Sequence, residues 1–229
     1  MIEKLKQDVQ ELANPERAEH SKRYFKTGPG QYGEGDVFLG LTMPQQREIA
    51  KKYKDLQLEQ VQELLESGIH TYRMIALVIL TLQYKNNNEE IFNFYLKNTK
   101  YINNWDLVDV TTHKIVGEYL LDKPRDILYK LAKSPDLWEK RISIISTFAF
   151  IRRGQLDDAI NIAEILLHDK HDLIHKAVGW MLREIGNRDL GVEEKFLKKY
   201  YNQMPRTMLR YAIEKFEESK RLDYLKGRI

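Results

Sequence analysis

The chain of 229 residues has no cysteine, which excludes a disulfide scaffold, a thiolate-based zinc finger and a cysteine nucleophile. No uninterrupted run of about 18 or more apolar residues occurs, so no membrane-spanning segment is expected. The opening MIEKLKQDVQELANPERAEH has no apolar stretch of the secretory type, and a soluble, cytosolic protein is expected. Strand signals are equally scarce, for few segments alternate with period two. Nor is there much excess charge: 37 Lys and Arg face 34 Asp and Glu, a net charge of +3. Its distribution is more telling, because residues 198–228 carry nine basic side chains against four acidic ones. Such a skew suits a polyanionic partner, although solvated helix faces would produce it too.

What is abundant is helical periodicity. Val61, Leu64 and Leu65 recur at i, i+3, i+4, with Gly68 placed to stop the helix. RMIALVILTLQY is apolar nearly all round, as in a helix buried between neighbours. ISIISTFAFIRRG, from Ile142, would suit a strand by its β-branching but reads as a buried helix continuing from WEKR. Pro124, Pro135 and Pro205 lie near the start of new amphipathic stretches, where proline is tolerated in a first turn. The fold class is all-α.

Aligned on their apolar helices, Arg73, Asp109, Arg141, Lys176 and Arg210 take corresponding places at intervals of 36, 32, 35 and 34 residues. That period marks a solenoid of helical pairs, an α-α superhelix. The repeats lack the tetratricopeptide signature, so a HEAT-like array forming one continuous domain, residues 1–229, fits better. Equivalent positions project to one side of a superhelix, often its concave side. Four cations there would make a basic groove suited to a phosphate backbone, with Arg152 and Arg153 as further basic contacts. A lone carboxylate in that row, Asp109, needs a reason: either an ion pair with a neighbouring arginine or chemistry.

NNWDLVD places Trp105 one helical turn before Asp109. Asn104 reads as the N-cap and Asp106 as the acid favoured by the helix dipole, whereas Asp109 lies too far along to cap. Trp180 follows Lys176 by four residues and points to the same side, while Trp138 reads as packing. NNWDLVD, WEKR and HKAVGWMLREIG, in this order and spacing, closely resemble the AlkD family of DNA alkylation repair glycosylases. The likeness runs from ANPERAEHSKRYF to MLRYAIEKF.

The resemblance implies HEAT-like repeats that excise purines alkylated on a ring nitrogen from double-stranded DNA, without a cofactor or metal and without base flipping. It implies Asp109 as the catalytic carboxylate, Trp105 and Trp180 as aromatics facing the damaged nucleotide, Arg141 as the active-site arginine and Tyr24 as an aromatic near the DNA. An alkylated base is already cationic and departs neutral, so no general acid is needed. A carboxylate can stabilise the oxocarbenium-like sugar and orient water, and indole faces attract the same cation. No flipping pocket or intercalating wedge is visible in the sequence, and the protein is expected to act as a monomer.

Three features depart from the family pattern. The segment GPGQYGEGDVFLG (about residues 28–40) suits a hairpin or long turn. It has no G-K-[ST] and no preceding strand, so it is not a nucleotide loop. Relatives carrying a hairpin here bind branched DNA without excising bases, which keeps open a non-catalytic DNA-binding reading. Ala149 and Ile151 stand where basic contacts are expected, and Leu173 where the family uses an aromatic. His168, His171 and His175 cluster as metal ligands can, but no second cluster completes a site. His20, His70 and His113 read as isolated.

Overall fold

The computed structural model describes all residues, 1–229, and is entirely helical apart from one isolated bridge between Val37 and Ile69. The helices are α1 (Ile2–Glu11), α2 (Pro15–Tyr24), α3 (Met43–Lys52), α4 (Leu58–Glu66), α5 (His70–Gln83), α6 (Asn88–Lys97) and α7 (Trp105–Thr112). A π-helical turn, His113–Gly117, follows α7. Then come α8 (Asp126–Ala132), α9 (Leu137–Ser146), α10 (Phe148–Ile151), α11 (Asp157–Ile165), α12 (Asp172–Gly186), α13 (Leu190–Tyr200), α14 (Arg206–Ala212) and α15 (Glu218–Lys226). No helix is long and apolar enough to cross a membrane. The chain divides into two compact units, Met1–Thr111 and Thr112–Ile229.

The repeat register has a direct structural meaning. Asp109, Arg141, Lys176 and Arg210 are each the fifth residue of their helix, and Arg73 is the fourth of α5. Each of these helices follows a shorter or more polar partner, giving the pairs α4–α5, α6–α7, α8–α9, α11–α12 and α13–α14. α5 is the buried helix that its all-round apolar sequence demands, with Met74 through Leu80 all inaccessible or nearly so. Trp138 is buried, as its packing assignment requires.

Two local expectations need correction. The stretch from Leu137 to Ile151 is two helices, because α9 ends at Ser146 and α10 begins at Phe148. Three hydroxyls explain the break: Ser143, Ser146 and Thr147 donate back to the carbonyls of Lys140, Ile142 and Ile144 at 2.6–2.7 Å, an arrangement that bends helices. Gly117 of the π turn presses against the same break, where a β-carbon would stand 2.4 Å from the Ser146 carbonyl oxygen. The prolines also sit differently. Pro124, Pro135 and Pro205 precede their helices, while Pro15 and Pro44 occupy the first turns of α2 and α3.

Residues 28–40 form the long turn and not the hairpin. The turn is stitched into the first unit: Asn14 N–H donates to the Leu39 carbonyl (2.9 Å), His70 N–H to the Val37 carbonyl (2.9 Å), and Leu39 N–H to the Thr71 hydroxyl (3.0 Å). In the second unit, α12 and α14 pack closely because Gly179 has no side chain. A β-carbon there would lie 2.5 Å from both the Met208 carbonyl oxygen and Tyr211 Cβ.

Candidate active site

The first unit holds Trp105 and Asp109 on α7, and the way this helix is started explains the asparagines before it. Asn104 is wholly buried; its Oδ1 accepts from Trp105 N–H (2.8 Å) and its Nδ2 donates to Asp36 Oδ2 (3.0 Å). Asp36 in turn accepts from Arg73 Nη1 at 2.8 Å, and the same nitrogen donates to Asn103 Oδ1 at 2.8 Å. Both asparagines of NNWD are therefore tied to one ion pair whose carboxylate side chain is 1% exposed. Asp106 accepts from Leu107 N–H, as an acid at a helix start should, and also lies 2.9 Å from His70 Nε2.

Beyond this anchored start, α7 buries Leu107 and Val108 completely, whereas Trp105 and Asp109 remain partly exposed. The Trp105 ring stacks on Phe25 (centroids 5.2 Å apart, planes at 22°) and meets Tyr24 edge-on at 5.9 Å. Tyr24 is 59% exposed, so the tyrosine and the tryptophan form an accessible aromatic pair. Arg73 is placed differently from a surface phosphate ligand. Its guanidinium is 12% exposed and is held by Asp36, Asn103 and the Leu65 carbonyl.

The second unit holds the remaining candidates. Arg141 is buried, and one guanidinium nitrogen donates to the Leu173 carbonyl. Trp180 is partly exposed, donates from Nε1 to Glu184 (3.0 Å) and leans on Phe148, with centroids 5.8 Å apart. Arg152 is exposed and lies over the Phe148 ring at 5.7 Å, a cation–π distance. Arg153, also exposed, makes a two-pronged contact with Glu118 (2.7 and 3.1 Å). Lys176 pairs with Asp172 one turn earlier at 2.7 Å. Arg210 is exposed and lines an open cleft with Tyr211, Glu214, Phe216 and Arg221.

Two of the three histidines read as isolated, His70 and His113, have partners. His70 faces Asp106 and stacks on Phe38 at 4.3 Å, and His113 meets Phe148 edge-on at 5.5 Å. A signal for the first pair was present: His70 and Asp106 are 36 residues apart, the same interval as Arg73 and Asp109. In the cluster HDKHDLIH, His171 caps α12 by accepting from Leu173 N–H, and burial pushes its imidazole below the usual range. Burial tends to raise the Asp169 carboxyl, but Lys140 and the His171 N–H outweigh it and hold the group below its ordinary value.

A cavity of about 280 Å³ opens beside Trp105, with Phe25, Phe38, His70, Asp106 and Val110 among its walls.

The family model described as DNA alkylation repair enzyme matches residues 5–216. A solved structure of a predicted DNA alkylation repair enzyme from Enterococcus faecalis has a similar fold, with a TM-score of 0.70. It is 18% identical, and the match covers 90% of this chain and 97% of that one. No curated protein matches in sequence. With its helical repeats and the family model spanning nearly its whole length, the chain belongs to the DNA alkylation repair enzyme family.

Proposed function

We propose that the protein is a monofunctional DNA glycosylase that hydrolyses the N-glycosidic bond of cationic N-alkylated purines in duplex DNA. The observation that carries this reading is the surface access of Asp109: it stays partly exposed one turn beyond partly exposed Trp105, while Leu107 and Val108 between them are fully buried. An acid with no capping duty, one turn beyond an indole that meets an exposed tyrosine, suits a developing cation. In the reaction the bond from C1′ to the base nitrogen breaks and its electron pair leaves with the base, which becomes neutral. Asp109 stabilises the sugar cation, orients water towards C1′ and receives the proton that water loses.

Trp105 supplies an electron-rich face for that cation. Trp180 and Arg141 take the roles that the family resemblance gives them, facing the nucleotide and its phosphate. Arg152, Arg153, Lys176 and Arg210 supply the sequence-independent attraction to the backbone, the first and last being the more available because neither is held in an ion pair with its neighbours in the way Arg153 and Lys176 are. Arg73 is left to the fold.

Release of free base from N-methylated duplex DNA under single-turnover conditions tests the reading. Asp109→Asn should slow release by about two to three powers of ten while leaving DNA affinity intact. Wild-type protein that releases no base would end it.

A second reading, a non-catalytic binder of branched or damaged DNA, is favoured by the turn at residues 28–40, whose Gln31 and Glu34 are exposed. It predicts tight junction binding that survives Asp109→Asn and is lost when Gln31 and Glu34 are substituted. Deleting residues 28–36 is not a clean test, since it removes Asp36 and strands Arg73.

A further inference from the structure

Residues 141–151 are all buried except one, Phe148, which is half-buried at the start of α10. A ring two residues later shows what the fold does with a phenylalanine that serves packing. Phe150 is wholly buried, and the Arg125 guanidinium 3.8 Å over it is held by Asp158 and the Leu120 and Leu121 carbonyls. Phe148 instead stands at the break between α9 and α10, against which the π turn presses through Gly117; a β-carbon there would also lie 2.7 Å from Ala149 Cβ. Two backbone irregularities therefore meet beside the one half-exposed ring, and π turns within helices are frequent at functional sites.

The ring also lies in the repeat register. His113, Phe148 and Trp180 follow Asp109, Arg141 and Lys176 by four, seven and four residues, so each belongs to the helix face of its own repeat's register residue. Phe148 is the ring that joins the three: it meets His113 edge-on at 5.5 Å and Trp180 at 5.8 Å with the planes at 45°. Arg152, one turn later, lies over the same ring at 5.7 Å. Trp180 is thus held twice, its Nε1–H by Glu184 and its ring by Phe148. We propose that Phe148 is a positioning residue for DNA, whose ring fixes the Trp180 indole and the Arg152 guanidinium in one arrangement before DNA arrives. A long arginine side chain perched on an aromatic face is ordered in advance, which lowers the cost of ordering it on binding. The use of the arrangement rests on the function proposed above, with the indole meeting the nucleotide and the guanidinium its backbone. The arrangement itself belongs to the free protein.

The test compares the intact wild-type protein with Phe148→Leu, Phe148→Tyr, Arg152→Ala and the Phe148→Leu/Arg152→Ala double variant, folding being checked by circular dichroism. Affinity for an unmodified DNA duplex should fall about two- to fivefold in Phe148→Leu, the yield of an exposed cation–π contact, and Phe148→Tyr should restore most of it. In the Arg152→Ala background Phe148→Leu should cost no further affinity, because the two residues act as a unit. At saturating N-methylated duplex the single-turnover rate of base release should fall about tenfold in Phe148→Leu, as expected when a substrate-facing group loses its support. Unaltered affinity in Phe148→Leu, a loss that adds in full to that of Arg152→Ala, a loss that Phe148→Tyr does not restore, or an unchanged rate in an enzyme that does release base overturns the proposal. If the wild type releases no base, the glycosylase reading falls, and the affinity cycle decides the role of Phe148 by itself.

Discussion

Each unit buries a carboxylic acid, and the two are treated in opposite ways. Asp36, in the first, faces Arg73 at 2.8 Å and Asn104 at 3.0 Å, so both carboxylate oxygens are occupied. Glu193, on α13 in the second, is 2% exposed with Oε1 unpartnered; burial, helped by the nearby Glu194, pushes it up to about 8. Arg183 and Lys220 act to lower it, without prevailing. One acid is paired on both oxygens and is used to hold α7 at its Trp105 end. The other gives up its charge and holds a proton at neutral pH. Burial of an acid is therefore not a functional signal by itself; Asp109, the acid of the proposed function, is partly exposed.

The comparison breaks most severely at Asp36. Asp36→Ala leaves the Arg73 guanidinium unpaired at 12% exposure and frees both asparagines that start α7. Loss of one partner from a buried pair costs about 3–5 kcal/mol, and urea denaturation should register it. Because α7 loses its anchor, the base release of the proposed function should fall as well. Replacing both Asp36 and Arg73 by leucine and methionine should recover much of the stability, since a buried pair exchanged for apolar side chains is often neutral. If Asp36→Ala melts like the parent, the anchoring role is wrong.

Glu193 sharpens the contrast through pH. Its folded value lies above the ordinary 4.5, so the folded state binds the proton more tightly than the unfolded chain does. The corresponding stability is fully present below about pH 4.5 and is lost as pH rises through about 8. Between pH 6 and 8 the loss is roughly 2–3 kcal/mol. Glu193→Gln, which cannot ionise, should flatten that slope and exceed the wild type in stability at pH 8. Parallel stability–pH curves for the two proteins would show that Glu193 is not the group responsible.

Much of this was legible beforehand, and what was not has a common cause. Helix type and repeat register follow from local periodicity, and so Asp109, Arg141, Lys176 and Arg210 fall at the same helical position. Trp138 was assigned to packing correctly for the same reason. Pairings between one repeat and the next escaped, because residue type does not say which charge meets which. Arg73 was read as a groove cation until Asp36, 37 positions earlier, claimed it. Asp106 was fully explained by the helix dipole, yet His70 shares it. The glycines of residues 28–40 point only to a hairpin or long turn, while its one buried acid, Asp36, ties that turn to the start of α7. The aromatic stack of Phe25, Phe38 and His70 brings together three segments that no periodicity links.

The smallest effects belong to the exposed cations of the second unit, which are the reverse of Arg73. Arg153 and Glu118 have side chains 44% and 30% exposed, and a pair so open contributes at most about 1 kcal/mol. Arg152 lies over the Phe148 ring and is exposed. Arg152→Ala and Arg153→Ala should each leave thermal stability nearly unchanged. If they face the phosphate backbone, each should also lower the slope of log affinity against log salt by about 1, with Arg152 weakening binding more, since Arg153 must first release Glu118. Equal salt slopes in the wild type and both variants would remove these two residues from the DNA-facing set, while leaving Asp109 and Trp105 untouched.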